Sequence, residues 1–312
     1  MPKRALISLI LKVSGNVNAD AGLGTRIPLK KIITWHQEVR PFVSARCIRR
    51  CIRERLHEKG LPIDPLLMVG RGEKKQLGDM GNPVKYADDD LFGFLLPKEP
   101  PVRRSGPIKI SHLIALRHAE VKVEFAGRFE RNFLLEYEKG PPAPFEIEVA
   151  DWLGRLNVIV SDRVGRFSDD ELTKEAKDEL GGQLELTREK RVRRLSSFLE
   201  ILLWEGWVFP RGSQSLCTPE FYYAVIALTG RFAPIFGYVN VTDEGDLDMN
   251  LIEKMRNIYG ELIDKLFVLD YRNGKYLEYN RVADANEKAE PKELNSDAII
   301  RIIEEVCGYL IR

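Results

Sequence analysis

Arginine is the side chain this sequence concentrates. RPFVSARCIRRCIRERL, residues 40–56, holds six arginines (Arg40, Arg46, Arg49, Arg50, Arg53, Arg55) and one acid, Glu54, in a chain whose formal net charge is only +1. At about 100° per residue, a helix starting near Ser44 puts Arg46, Arg49, Arg50 and Arg53 within an arc of roughly 100°. Ala45, Ile48, Ile52 and Leu56 fill the adjoining arc. An arginine stripe over the first turns of a helix sits where the macrodipole and unpaired N–H groups are already positive, so it is costly unless an anion answers it. Planar guanidinium forks fit phosphate, and phosphate binding is the chemistry expected. Acids from the acidic C-terminal part of the chain are the competing partner.

Other groups are weaker. The loop GNVNADAGLGTR (15–26) has neither a mononucleotide P-loop nor a framed dinucleotide fingerprint. Its Asn16, Asn18 and Thr25, with Lys30 and Lys31 beyond, can bond phosphates and sugars or simply connect elements. Asp20 is its one acid. A second basic cluster (Arg188, Lys190, Arg191, Arg193, Arg194) opens another helix, with Arg103, Arg104 and the loop RGSQS (211–215) as lesser candidates. Cys47, Cys51, His36 and His57 invite a zinc site, but His57 falls about 120° around the helix from Cys51, so small apolar helix residues are the better account. Asp88, Asp89 and Asp90 lack calcium-loop spacing and read as a surface turn or cap. No metal or cofactor is expected.

The frame that must position these residues is an ordinary globular one. The chain has 312 residues, 44% of them hydrophobic and 30% charged, and four cysteines, too few for a disulfide framework, which points to a reducing cytoplasm. ALISLIL after Lys3-Arg4 imitates a signal peptide, yet it is short, Lys12 interrupts it, and it reads as a buried strand. No run is long enough for a membrane span. Charge is divided: residues 241–312 sum to −6 and residues 1–240 to +7.

Strands are expected at 5–13, 110–116, 121–127, 145–162 and 221–228, with helices at 44–59 and 188–204. Residues 60–108, rich in Gly and Pro, read as an insertion, and 163–187 as a polar segment. The acidic C-terminal part reads as helix (250–264), two strands, a polar linker (282–296) and a final helix (297–310). Without the insertions the order is β-α-β-β-α-β, an α+β fold of ferredoxin-like or RRM-like type. The paired aromatics of an RRM are missing, so base stacking on the sheet is not expected.

RPFVSARCIRRCIRERL, DDDLFGFL (88–95) followed by RRSGPIKISHLIAL (103–116), PFEIEVADWLGRLNVIVSDRVGRF (144–167) and the basic start of the second helix occur in an order that resembles the CRISPR-associated backbone subunit of type I effector complexes. This is the "Cas seven" superfamily, in its DevR-like branch. The resemblance implies an RRM-like palm (1–59, 109–162 and 188–312, with the acidic C-terminal extension), finger-like residues 60–108 and thumb-like residues 163–187. It implies copies stacked in a helical filament on a CRISPR guide RNA, with other effector subunits, presenting the guide to target DNA. It assigns Lys30, Lys31, Ser44, Arg46, Arg49, Arg50 and Arg53 to the guide's phosphates, with Asn18, Arg103, Arg104, Arg191 and Arg194 as further RNA-binding candidates and no catalytic residue. The alternative it raises is the metal-dependent target-RNA cleavage of type III relatives, through Asp20.

Overall fold

Strand β1 (Arg4–Gly15) is buried on both faces, which is why it reads as an unbroken apolar run. Ile7, Leu9 and Leu11 join one hydrophobic cluster, Leu6 and Ile10 another, as the two-residue period of a strand requires. The structure, a computed structural model, describes residues 2–18, 24–69, 76–97, 101–129, 140–210, 216–280, 282–284 and 289–311. No helix among them is long and apolar enough to cross a membrane.

After β1 come β2 (Arg26–Ile27), β3 (Lys31–Ile33), β4 (Val39–Val43), helix α1 (Ala45–Glu58), β5 (Leu67–Val69), β6 (Gln76–Gly78), α2 (Ala87–Phe92), β7 (Gly93–Leu96), β8 (Val102–Ser105), β9 (Ile108–Ile110), β10 (Leu113–Ala115), β11 (Lys122–Arg128) and β12 (Ala143–Ser161). Then follow α3 (Lys174–Glu179), α4 (Arg188–Glu200) with a π turn over Ile201–Glu205, β13 (Glu220–Thr229), α5 (Met249–Tyr259), β14 (Lys265–Asp270), β15 (Lys275–Tyr279), β16 (Lys292–Glu293) and α6 (Ser296–Leu310).

The main sheet runs β16-β15-β14-β13-β1-β12-β10-β4-β3, with β9, β11 and β2 also paired to β12. It is antiparallel apart from the short β2–β12 pair. Within it, β1, α1, β9 with β10, β12, α4 and β13 form a strand-helix-strand-strand-helix-strand series. Their strands lie β13-β1-β12-β10 across the sheet.

Residues of α1, α4 and α6 cover one face, and α5 with Ala233, Ile235 and Val239 covers the other. The acidic C-terminal part thus extends the sheet beyond β13 and closes both of its faces.

Several elements depart from expectation. ISHLIAL is two strands, because Ser111 leaves the ladder to exchange two hydrogen bonds with Asn157: its N–H donates to the Asn157 carbonyl and its Oγ accepts the Asn157 N–H, both at 2.9 Å. That break turns His112 toward the start of α1. Residues 145–162 belong to one strand of 19 residues, whose first part leaves the body with β11 as an arm. Residues 163–187 pack inward: Phe167, Leu172, Ala176 and Leu186 form a small core with Val84 of the insertion.

Asp88, Asp89 and Asp90, expected on the surface, are fully buried in α2. The hairpin β3–β4 was not foreseen.

Candidate nucleic-acid interface

Helix α1 spans what its sequence predicts, with Ser44 as N-cap. Cys47, Ile48, Cys51, Ile52 and Leu56 are buried, so the two cysteines are core residues. The bond to Cys47, then burial, pushes the Cys51 thiol up. His57 is exposed on α1 and His36 sits at the β3–β4 turn, so the four do not converge.

The start of α1 is already capped by the protein. The Ser44 N–H donates to Asn18 Oδ1 at 2.7 Å, the Ala45 N–H to His112 Nδ1 at 2.8 Å and the Cys47 N–H to Ser44 Oγ at 3.2 Å. Asn18 reaches Ser44 from the left-handed region, φ 54°, which asparagine tolerates. Three of the amides at this helix start are thus answered within the protein, and Asn18 and Ser44 fix the loop to the helix.

The four stripe arginines separate by partner. Arg53 Nε lies 2.8 Å from the buried Asp88 carboxylate, and its guanidinium lies over Phe92. Arg50 makes an exposed pair with Glu54 one turn on, at 3.1 Å, an arrangement worth only about 0.5 kcal/mol. Arg46 is exposed and Arg49 half-buried, and neither has a carboxylate within 4 Å among the described residues. Among the described residues no acid of the C-terminal part reaches the stripe; its acid partners there are Glu54 and Asp88.

Burial, then the charges of Arg53 and Arg46, lowers the pKa of Arg49. Lys109 on β9 is held down likewise, by burial and then by Arg49, Arg163 and Arg104. Its Nζ donates to Ser105 Oγ at 2.7 Å, and no carboxylate pairs with it among the described residues. The Lys30 carbonyl accepts the Phe42 N–H at 2.9 Å, which places Lys30 beside β4, the strand that leads into α1. Arg46, Arg49, Lys109 and Lys30 thus form a patch of positive charge with no carboxylate partner among the described residues. Nothing in the sequence spacing brings Lys109, some 60 positions on, to Arg49. It arrives because β9 is paired to β12 in the folded sheet.

Other candidates are bound inward. Lys31 Nζ lies 2.5 Å from Glu148, whose carboxylate also takes the Leu29 N–H. Arg104, Arg191 and Arg194 are only 4%, 2% and 5% exposed, which removes them from a surface role. Arg104 bonds Asp90 at 2.7 Å and Glu171 at 2.8 Å, and Arg194 bonds Asp90 at 2.9 Å and the Pro83 carbonyl at 2.7 Å. Arg191 Nε donates to the Val164 carbonyl at 2.8 Å. The basic start of α4 is thus partly a buried clamp around Asp90. Arg103, next in line, is exposed on β8. Asp20 and the loop 211–215 lie outside the described residues.

One acidic cluster also lies in the insertion. Carboxylate oxygens of Asp64, Asp79 and Asp89 come within 4.8 Å of one another. Each already accepts a backbone N–H, from Leu66 and Met80, from Leu95 and from Asn82 respectively. Burial, then Asp64 and Asp88, pushes Asp89 up to about 8, so this group holds a loop together with a proton to spare.

Residues 73–206 match the family model described as CRISPR-associated negative auto-regulator DevR/Csa2. That segment is similar to the DevR/Csa2 family. The DevR-like segment includes α2, the Asp90 clamp and α4, whereas the arginine stripe of α1 lies before it. A solved chain of a "CRISPR RNA-guided surveillance complex, pre-nicking" is similar at a TM-score of 0.50 and 13% identity, over 83% of this chain and 88% of that one. Another, of a "CRISPR RNA-guided surveillance complex", gives 0.45 and 13% over 83% and 82%. At such identity the first is a likeness of fold. No curated protein matches the chain.

Proposed function

We propose that this chain is a non-catalytic, CRISPR RNA-binding backbone subunit of a type I, Cascade-like surveillance complex. It stacks with copies of itself into a helical filament beside other effector subunits, and presents the guide for pairing with target DNA in antiviral defence. The observation that carries the reading is the positive patch of Arg46, Arg49, Lys109 and Lys30, with no carboxylate partner among the described residues and with Arg50 weakly paired at its margin. A rigid array of unpaired cations is what a flexible phosphate backbone neutralises, and it holds RNA without reading its sequence. Base pairing by the guide then supplies specificity.

The strand order β13-β1-β12-β10 supports an RRM-like palm, and the DevR-like match supports the assembly. Because the second sheet face is closed by α5, RNA is held on the helix side rather than stacked on open strands. Residues 60–108 remain the finger-like insertion. Residues 163–187, which pack against the insertion, keep the thumb-like reading, and the β11–β12 arm, where Val123, Phe125 and Phe129 are exposed, is a second candidate for it.

Reversing Arg46 and Arg50 to Glu tests the reading. Both are exposed, so melting should be unchanged while affinity for single-stranded RNA falls by at least tenfold. Unaltered affinity would sink the assignment.

A further inference from the structure

The most exposed large apolar side chain described is Trp35, 85% exposed at the β3–β4 turn. It is held there by a built turn. The Thr34 N–H donates to the Glu38 carbonyl and the Gln37 N–H to the Thr34 carbonyl, both at 2.9 Å, and the Glu38 N–H bonds Thr34 Oγ1 at 3.2 Å. Arg40 clamps Glu38 through Nε at 2.9 Å and Nη2 at 2.5 Å, and the Val39 N–H donates to His118 Nδ1 at 3.1 Å. Gln37 closes the turn with φ 64°. The His36 ring backs the indole, with centroids 3.4 Å apart and planes inclined by 35°. One face of the indole is thus supported while the rest stands in solvent.

We infer that Trp35 is a base-stacking residue for single-stranded nucleic acid. The inference deepens the reading of the α1 patch and rests on it. A tryptophan can bury about 150–250 Å² and here buries little, so its rigid presentation serves a contact not made within the chain. Charge selects the occupant. Lys30 lies at one foot of the hairpin and Arg46, Arg49 and Arg50 just beyond Ser44, while Lys31 and Arg40 are paired with Glu148 and Glu38. At ~3.3 Å per residue the tip is within about 30 Å of Ser44, so one strand of RNA can lie on the arginines and lay a base on the indole. Every base offers a π-face, so the contact adds affinity without sequence choice.

Equilibrium binding of a short oligouridylate, and of the same ribose-phosphate chain without bases, tests this in wild type and Trp35→Ala. The variant should bind the base-bearing strand about five- to a hundredfold more weakly and the base-free strand equally well. Trp35→Phe should recover most of the affinity. Trp35→Ala matching wild type on both strands overturns the inference. So does unchanged RNA binding with abolished self-association in sedimentation, which would make Trp35 a contact between copies. Wild type binding neither strand overturns the α1 patch itself, and is thereby distinguished from failure at Trp35 alone.

Discussion

Within one helical stripe, arginines seven positions apart do opposite work. Arg46 faces solvent without an acid, whereas Arg53 compensates the buried Asp88, whose pKa burial raises and Arg53 opposes. Arg46→Gln with Arg49→Gln should lower the slope of log affinity against log salt by about 1.4, near 0.7 for each phosphate no longer neutralised, with melting unchanged. Arg53→Ala should instead cost about 2 kcal/mol in a denaturant titration, because it strands a buried carboxylate. A salt slope that moves with Arg53 and not with Arg46 and Arg49 would reverse these roles. The stripe itself was legible from spacing, since a helical period depends only on sequence. Which of its members are free was not, because Asp88 and Lys109 approach only through tertiary packing.

Among the elements, α2 changes the account most. Its DDD run looks like a solvated cap, and acids in the first turn of a helix are ordinary. In the fold, Asp90 anchors Arg104 and Arg194 and accepts the Gly165 N–H at 3.0 Å, so one carboxylate joins the insertion, residues 163–187 and α4. Asp90→Asn leaves Arg194 without a carboxylate and Arg104 with Glu171 alone, and should cost about 3–5 kcal/mol, read as a lower denaturation midpoint. The basic REKRVRR start of α4 misled for the same reason: its buried Arg194 answers an acid about a hundred positions earlier, and its buried Arg191 a backbone carbonyl.

Asp89 adds a pH dependence. It is pushed up from 3.8 to about 8, so between those values the folded chain keeps a proton that the unfolded chain has lost, and stability falls as pH rises through that window. Asp89→Asn keeps an acceptor for the Asn82 N–H. It should narrow the gap in melting temperature between about pH 5 and about pH 8, mainly by raising the value at the higher pH. An undiminished gap would place the titrating group elsewhere.

For the molecule as a whole, the division of charge has a structural basis. The acidic C-terminal part, net −6, is built into the far edge and both faces of the sheet, and among the described residues pairs no acid with the α1 patch. The alternation of strands and helices that builds the sheet was readable from periodicity. How the C-terminal part closes it was not, since its short strands carry no partner in their own sequence. A chain with one basic patch on a rigid body should load along RNA in proportion to length. Native mass measurement of the protein with single-stranded RNAs of increasing length tests this most directly. The account predicts a ladder of whole-number copies that grows with length and collapses in the Arg46→Glu, Arg50→Glu variant; a single copy at every length, or a ladder indifferent to those arginines, would contradict it.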